Sequence, residues 1–220
     1  MKYLTFAIAL LGITLFGKSQ SNELVPKDPE AKKILDKLSA KTKAFSSITA
    51  DFDFTLQNKA EGLDDTQSGS IVIKGDKYVI DIGEQQILSN GELVWTYLKD
   101  VSEVQISEVD EDDDAGMLNP KTIFTMYETG FKYVLEDDKT IDGTVVNVIR
   151  MYPLEPGQKP FHTVILNVDK TKNQIHSIEI KSKDGNIFIY TIKNFVGNKD
   201  YPESKFEFKL PEGVEEIDLR

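Results

Sequence analysis

The stretch Phe45 to Asn58, FSSITADFDFTLQN, decides the fold. Ile48, Ala50, Phe52, Phe54 and Leu56 alternate with Thr49, Asp51, Asp53, Thr55 and Gln57. Successive side chains of a strand point to opposite faces, so this period of two describes a long strand with one oily and one wet face. The oily face must meet either packed core or a hydrophobic guest.

Upstream of the strand the period changes. Asp28-Pro29 offers an N-cap followed by proline at the first helical position. Ala31, Ile34, Leu35, Leu38, Thr42 and Phe45 then recur at helical spacing, with lysines and Asp36 on the other side. This predicts one amphipathic helix of about four turns, whose stripe needs an apolar partner. The sheet that follows can supply it.

Downstream, alternating runs predict strands near 48–58, 67–74, 77–82, 85–89, 93–98, 103–108, 131–137, 144–152, 161–169, 174–182, 186–195 and 205–210. Gly75-Asp76, Asn90-Gly91, Asp142-Gly143 and Asp184-Gly185 punctuate them, pairs that tolerate the positive φ of tight hairpin turns. Short strands joined in this way form an antiparallel meander large enough to curl into a barrel. A second helix is expected from Asn119-Pro120 through Thr129, closed by Gly130, with Ile123, Phe124, Met126 and Tyr127 apolar nearly all round. Such a helix is buried or covers a hydrophobic opening.

Before the helix, Lys2 and the apolar run Tyr3 to Phe16 read as a secretory signal, with a processing site near Gly17 to Gln20. That run is short for a membrane span. Residues 1–20 are therefore expected to be a signal peptide and 21–220 one domain, soluble after cleavage and periplasmic. The chain has no cysteine, so neither a disulfide nor a lipid-accepting thiol is available.

The formal charge of −11 over 220 residues excludes a nucleic-acid partner of the usual basic kind. Catalysis is equally poorly served. His162 and His176 are the two histidines, with no cysteine and no H-x-x-x-H spacing to make a metal set. No nucleophile elbow, P-loop or dinucleotide fingerprint occurs. An enzyme, a metal and a cofactor are all unexpected. The acidic run Asp110 to Asp114 fails the calcium-loop pattern, which needs Gly at 115 and Glu at 121 where Ala115 and Lys121 stand. It reads as a solvated loop or a partner contact.

What remains is apolar surface. Phe52, Phe54, Ile71, Ile73, Tyr78, Ile80, Ile82, Trp95, Tyr97, Val104 and Ile106 occupy alternate positions of successive strands. In a small closed barrel they would fill the interior. In a wider one, helices must help close the space, and what they leave can hold a lipid chain. Periodicity leaves both readings open.

Several runs carry a resemblance to the LolA-type outer-membrane lipoprotein carriers of Gram-negative bacteria. Ile34-Leu35-Asp36-Lys37-Leu38 resembles the family's first helix, and Ile48-x-x-x-Phe52, continuing to Gln57, its strand entry F-x-x-x-F-x-Q. Gly69 to Lys74 is similar to G-x-[apolar]-W-V-[KR], and Ile87 to Tyr97, ILSNGELVWTY, to the hairpin I-x-x-D-G-x-x-[apolar]-W-x-Y. Phe206-Glu207-Phe208, Pro211-Glu212-Gly213-Val214 and Asp218 resemble the terminal F-x-F-x-P-P-x-G-V-x-x-x-D.

The resemblance implies a mainly β fold, a half-open antiparallel barrel of about 11 strands around two or more lid helices. It also implies a cavity for acyl chains. Its wall would include Leu35, Leu38, Ile48, Phe52, Phe54, Ile71, Ile73, Tyr78, Ile80, Trp95, Tyr97, Ile106, Ile123, Phe124, Met126 and Tyr127. The implied partners are lipoproteins, an inner-membrane ABC exporter and an outer-membrane acceptor, with the carrier itself a monomer. A sensing domain of the same fold, binding a lipid or lipoprotein signal, is the rival reading. One departure is specific: Lys74 stands at the arginine that locks the family's lid, and an ammonium does not reproduce a planar fork of five donors.

Overall fold

The computed structural model describes residues 27–109, 127–128 and 130–220. One α-helix and twelve strands follow one another there: α1 (Pro29–Lys43), β1 (Ile48–Asn58), β2 (Leu63–Lys74), β3 (Lys77–Ile82), β4 (Gln85–Ser89), β5 (Leu93–Leu98), β6 (Glu103–Glu108), β7 (Phe131–Ile141), β8 (Thr144–Pro153), β9 (Phe161–Asp169), β10 (Gln174–Ser182), β11 (Ile187–Gly197) and β12 (Glu215–Asp218). Short 3-10 turns lie at Pro156–Gln158 and Glu203–Phe206.

All twelve strands form one sheet, in the order β12-β6-β5-β4-β3-β2-β1-β11-β10-β9-β8-β7. Neighbours are antiparallel except β12, which runs parallel to β6. The sheet is open, with β12 and β7 as its edges. The count is twelve rather than about eleven. The predicted strand at 205–210 is instead a 3-10 turn followed by irregular chain, and the twelfth strand comes later, at Glu215–Asp218. Of the expected helices, α1 is present and the second lies outside the described residues except at its end, where Tyr127 and Glu128 form a turn. The signal segment and the acidic run Asp110 to Asp114 lie outside them too.

Local chemistry explains the elements. Asp28 caps α1 through its Oδ1, which accepts the Glu30 and Ala31 amides, with Pro29 opening the first turn. Two-residue turns join β2 to β3 and β7 to β8. Asp142 and Gly143 in the second both have positive φ, 46° and 76°, the geometry that matches the twist of a hairpin.

The register sorts the side chains onto two faces. Phe52 and Phe54 of β1 stand opposite Ile192 and Tyr190 of β11, and Tyr190 stands opposite Ile178 of β10. Ile178 and Ile180 join Leu35 and Leu38 of α1 in the main core. This is the helix-side face. Over β7 to β10 it is densely packed, with Tyr133, Ile149, Met151, Val164, Leu166 and Val168 all buried beneath α1 and its flanks. Truncating one such side chain to alanine costs about 2–5 kcal/mol.

The opposite face has its own cover at the other end of the sheet. Phe206 is buried against Val79 and Leu88, with Val72, Trp95, Tyr201 and Phe208 packed around them. The chain after β11 therefore crosses the face that α1 does not touch. A third, smaller cluster of Val146, Val148 and Ile165 completes the opposite face beneath β8 and β9.

Candidate functional site

On the helix-side face, β1 to β4 continue the apolar surface beyond the α1 core. Pairing follows Ala50 to Ile71 to Ile80 to Ile87 across four strands, and Ile48 to Ile73 to Tyr78 beside it. Phe52 pairs with Gly69, and Gly69 with Ile82. An added Cβ at Gly69 would lie 2.6 Å from the Phe52 ring, so the missing side chain is what lets that ring lie across β2. Ile48, Ala50, Phe52 and Ile87 are buried. Ile71, Ile73, Ile80 and Ile82 are only half-buried, as is Tyr78, and these four isoleucines join no packed cluster among the described residues. Hydrocarbon this continuous and incompletely covered is unusual on a protein without a ligand for it.

Where the strip meets the core, β1 and β11 form an aromatic seam. Phe54 lies 6.2 Å from Phe188, stacked, and 5.1 Å from Tyr190, tilted. Phe52 lies 6.2 Å from Tyr190. The Tyr190 hydroxyl oxygen is buried without a hydrogen-bond partner among the described residues, and burial pushes its pKa well above the ordinary tyrosine value.

Seven of the residues proposed from the sequence, Ile48, Phe52, Phe54, Ile71, Ile73, Tyr78 and Ile80, share this face. Leu35 and Leu38 are on it too, but as core: they are 1% and 3% exposed among the side chains of β7 to β10. Tyr127 is buried in the same core, in edge contact with Tyr133, and donates its hydroxyl proton to Asp36 at 3.1 Å. Desolvation is the main cause that pushes its pKa up to about 12. Ile123, Phe124 and Met126 lie outside the described residues.

Three placements need correction. Trp95, Tyr97 and Ile106 point to the opposite face, because Trp95 pairs with Leu88 and Ile106 while Ile87, one residue away, is on the helix side. There Trp95 stacks on Phe208 at 6.1 Å and Tyr97 meets its edge at 6.2 Å. They are core under the C-terminal segment rather than wall of the site. Alternation alone could not separate the two, since β4 and β5 are apolar on both faces.

Lys74 is not placed to lock a helix either. Its Nζ donates to the Tyr201 carbonyl at 2.8 Å and to Glu203 at 2.7 Å, while Lys77 reaches the other oxygen of Glu203 at 2.5 Å. These two ammonium groups hold the Glu203 carboxyl down at about 2. The lysine fastens the C-terminal segment to the β2–β3 hairpin.

Phe188, Tyr190 and Ile192 went unselected by sequence reasoning. Their period of two in IFIYTIKN carried the signal, but nothing local showed that β11 pairs with β1.

Polar chemistry lies elsewhere. A depression of about 490 Å3 opens at Asp51, Asp53, Ser68, Ser70, Asp81, Lys193 and Asn194, around Gly69. Its carboxylates are already engaged: Asp53 accepts from Lys193 and Ser68, Asp51 from Asn194, and Asp81 from Gln86. Lys193 and Ser68 together hold the Asp53 carboxyl below its usual range. Among the described residues no group of three or more His, Asp or Glu could hold a metal ion. His162 shares a 2.8 Å hydrogen bond with Thr163. None of the described helices is long and apolar enough to cross a membrane.

A 134-residue stretch is 25% identical to an outer-membrane lipoprotein carrier protein of Ralstonia nicotianae, covering 61% of this chain and 59% of that protein. The chain thus matches somewhat over half the length of that relative. Among solved structures, an uncharacterised conserved protein from Thermus thermophilus shares the fold at a TM-score of 0.56 and 12% identity, over 86% of this chain and 99% of that one. A LolA superfamily protein from Nitrosomonas europaea aligns at a TM-score of 0.45 and 15% identity, over 81% and 97%. The family described as outer membrane lipoprotein carrier protein LolA matches residues 23–186, about three quarters of the sequence, and the chain belongs to that family.

Proposed function

We propose that this protein is a periplasmic carrier that shields the acyl chains of lipoproteins on the helix-side face of β1 to β4 and moves them from the inner to the outer membrane. The observation that supports it most is the half-buried strip of Ile71, Ile73, Ile80 and Ile82, which, among the described residues, continues a packed core without joining it. Family membership supports the same class of cargo.

The energetics suit carriage. Each methylene removed from water contributes about 0.8 kcal/mol, so acyl chains in transit need cover. A half-covered strip gives part of that stabilisation and leaves the rest for the acceptor, so release stays feasible. Leu35 and Leu38 are locked in the core, so α1 stays docked and the guest lies beside it. In this reading the donor is an inner-membrane ABC exporter, the recipient is an outer-membrane acceptor, and the carrier works as a soluble monomer.

The test is equilibrium binding of a diacylated cysteine lipopeptide to purified protein. Ile80→Glu, which places a charge in the middle of the strip, should reduce binding by at least tenfold with an unchanged β-rich circular dichroism spectrum. Val101→Glu, in the β5–β6 turn at 60% exposure, should bind as the parent does. A folded Ile80→Glu variant with parental affinity rules this surface out.

A further inference from the structure

We infer that the Tyr190 hydroxyl is a specificity element of the acyl surface, a hydrogen-bond donor held for the carbonyl of an ester-linked acyl chain; the assignment rests on the acyl-carrier reading above. Tyr190 sits where the strip and the core meet, opposite Phe54 on one side and Ile178 on the other. Its ring packs against Phe52 and Phe54. The oxygen is buried and has no partner among the described residues.

Buried tyrosine hydroxyls ordinarily find an acceptor, because an unmade bond forfeits the water they left. Phenylalanine would fill the same space without that penalty. The other two buried polar atoms without partners among the described residues, on Asn173 and His176, lie near the β9–β10 turn, away from the aromatic seam. Of these three, Tyr190 alone presents its orphan among apolar side chains of the candidate site.

The missing partner can be specified chemically. Burial keeps the phenol protonated, so it offers one proton and needs one acceptor. Its neighbours on the face are Phe52, Phe54, Ile178, Phe188 and Ile192, which include no cation. A carboxylate brought here would lose its hydration with no counter-charge from these neighbours, whereas a neutral ester carbonyl loses far less. The site is therefore matched to an acyl ester rather than to a free fatty acid.

The experiment compares the intact protein with its Tyr190→Phe variant, using a diacylglyceryl-cysteine lipopeptide and a dialkyl-ether analogue of equal chain length. One neutral hydrogen bond predicts that the parent prefers the ester by about five- to tenfold. Tyr190→Phe should erase that preference by weakening ester binding alone, and the unliganded variant should be as stable as the parent or more so. Unchanged ester preference in the variant overturns the assignment, as does a loss of stability without ligand, which would reveal a structural partner. If the parent binds neither probe, the acyl-carrier reading itself fails. A phosphatidylethanolamine with the same chains separates membrane lipid from lipoprotein as the source of the carbonyl. Tighter binding of the lipopeptide is expected, and tighter binding of the phospholipid overturns the lipopeptide as occupant.

Discussion

The Oδ2 of Asp28 accepts the backbone amide of Leu135 at 3.0 Å, while its Oδ1 caps α1. The Asp28 amide in turn donates to the Tyr133 carbonyl at 3.2 Å, and Lys27 makes a parallel bridge to Tyr133. One carboxylate therefore fixes the start of the helix to the edge strand β7. That contact sets how far α1 spreads over the sheet, and so where the core stops and the strip begins.

Replacing Asp28 by alanine removes a helix cap and the acceptor for a strand-edge amide. The expected loss is about 1–2 kcal/mol, read as a lower urea midpoint with an unchanged slope. Asn should retain most of the cap. The amides of Leu135 and Glu30 hold the Asp28 carboxyl below its ordinary value of 3.8. Because the folded value is the lower one, this contribution is complete above the ordinary range and is lost as pH falls through the depressed folded value. The parent should thus lose more stability than Asp28→Asn on going from pH 5 to pH 3.

The C-terminal segment should come loose in acid. Glu203 is bound by Lys74 and Lys77, and its carboxyl is held at about 2 against an ordinary 4.5. The sign is that of a depressed acid, so the tether is intact above about 4.5 and fades toward 2. The group is exposed to solvent, so the effect is local. Amide exchange at residues 201–208 should speed up through that window, and Glu203→Gln should show the faster exchange already at neutral pH. Equal protection in parent and variant at neutral pH would show that the Phe206 cluster and the Lys74–Tyr201 bond hold the segment without Glu203.

Gly69→Ala should destabilise by steric overlap rather than by loss of a side-chain hydrogen bond. Its Cβ would meet the Phe52 ring at 2.6 Å and the Asp81 carbonyl at 2.7 Å. The ring can shift but the carbonyl belongs to the neighbouring strand, so relief is partial. Overpacking of this kind costs about 1–3 kcal/mol. Combining it with Phe52→Leu should recover only part of the loss in a urea titration.

β1 to β11 were legible because their runs alternate with a period near two and because the hairpins announce themselves, as at Asp142-Gly143. The helix was legible from Asp28-Pro29 and the stripe through Leu35 and Leu38. Faces were not. Where both sides of a strand are apolar, as at Leu88 beside Ile87, alternation says that two faces exist but not which is covered by what. That information lies in Phe206 and Phe208, more than a hundred residues away, whose own F-x-F spacing imitates a strand. β12 was hidden for a related reason: Glu-Glu-Ile-Asp has no strand pattern, and its parallel partner β6 is remote in sequence. Tyr190 was concealed by pairing as well, since its closeness to Phe54 exists only through the β1–β11 register.

The two faces can be told apart by fluorescence. Trp95 is the single tryptophan of the chain, and it lies on the face covered by the C-terminal segment, stacked on Phe208. A guest bound on the helix-side strip does not touch it, so loading with a diacyl lipopeptide should leave its emission nearly unchanged. Glu203→Gln, which loosens the cover over Trp95, should shift that emission to the red with no guest present. Moving the reporter reverses the pattern. In a Trp95→Phe, Phe54→Trp double variant the indole sits in the seam beside Tyr190, and loading should shift its emission to the blue as hydrocarbon replaces water. Trp95→Phe also removes an indole from a packed cluster, so its thermal stability is measured first and the titration is run well below its midpoint. A guest-dependent shift at Trp95 with none at position 54 would place the acyl surface under the C-terminal segment and overturn the helix-side strip as the binding surface.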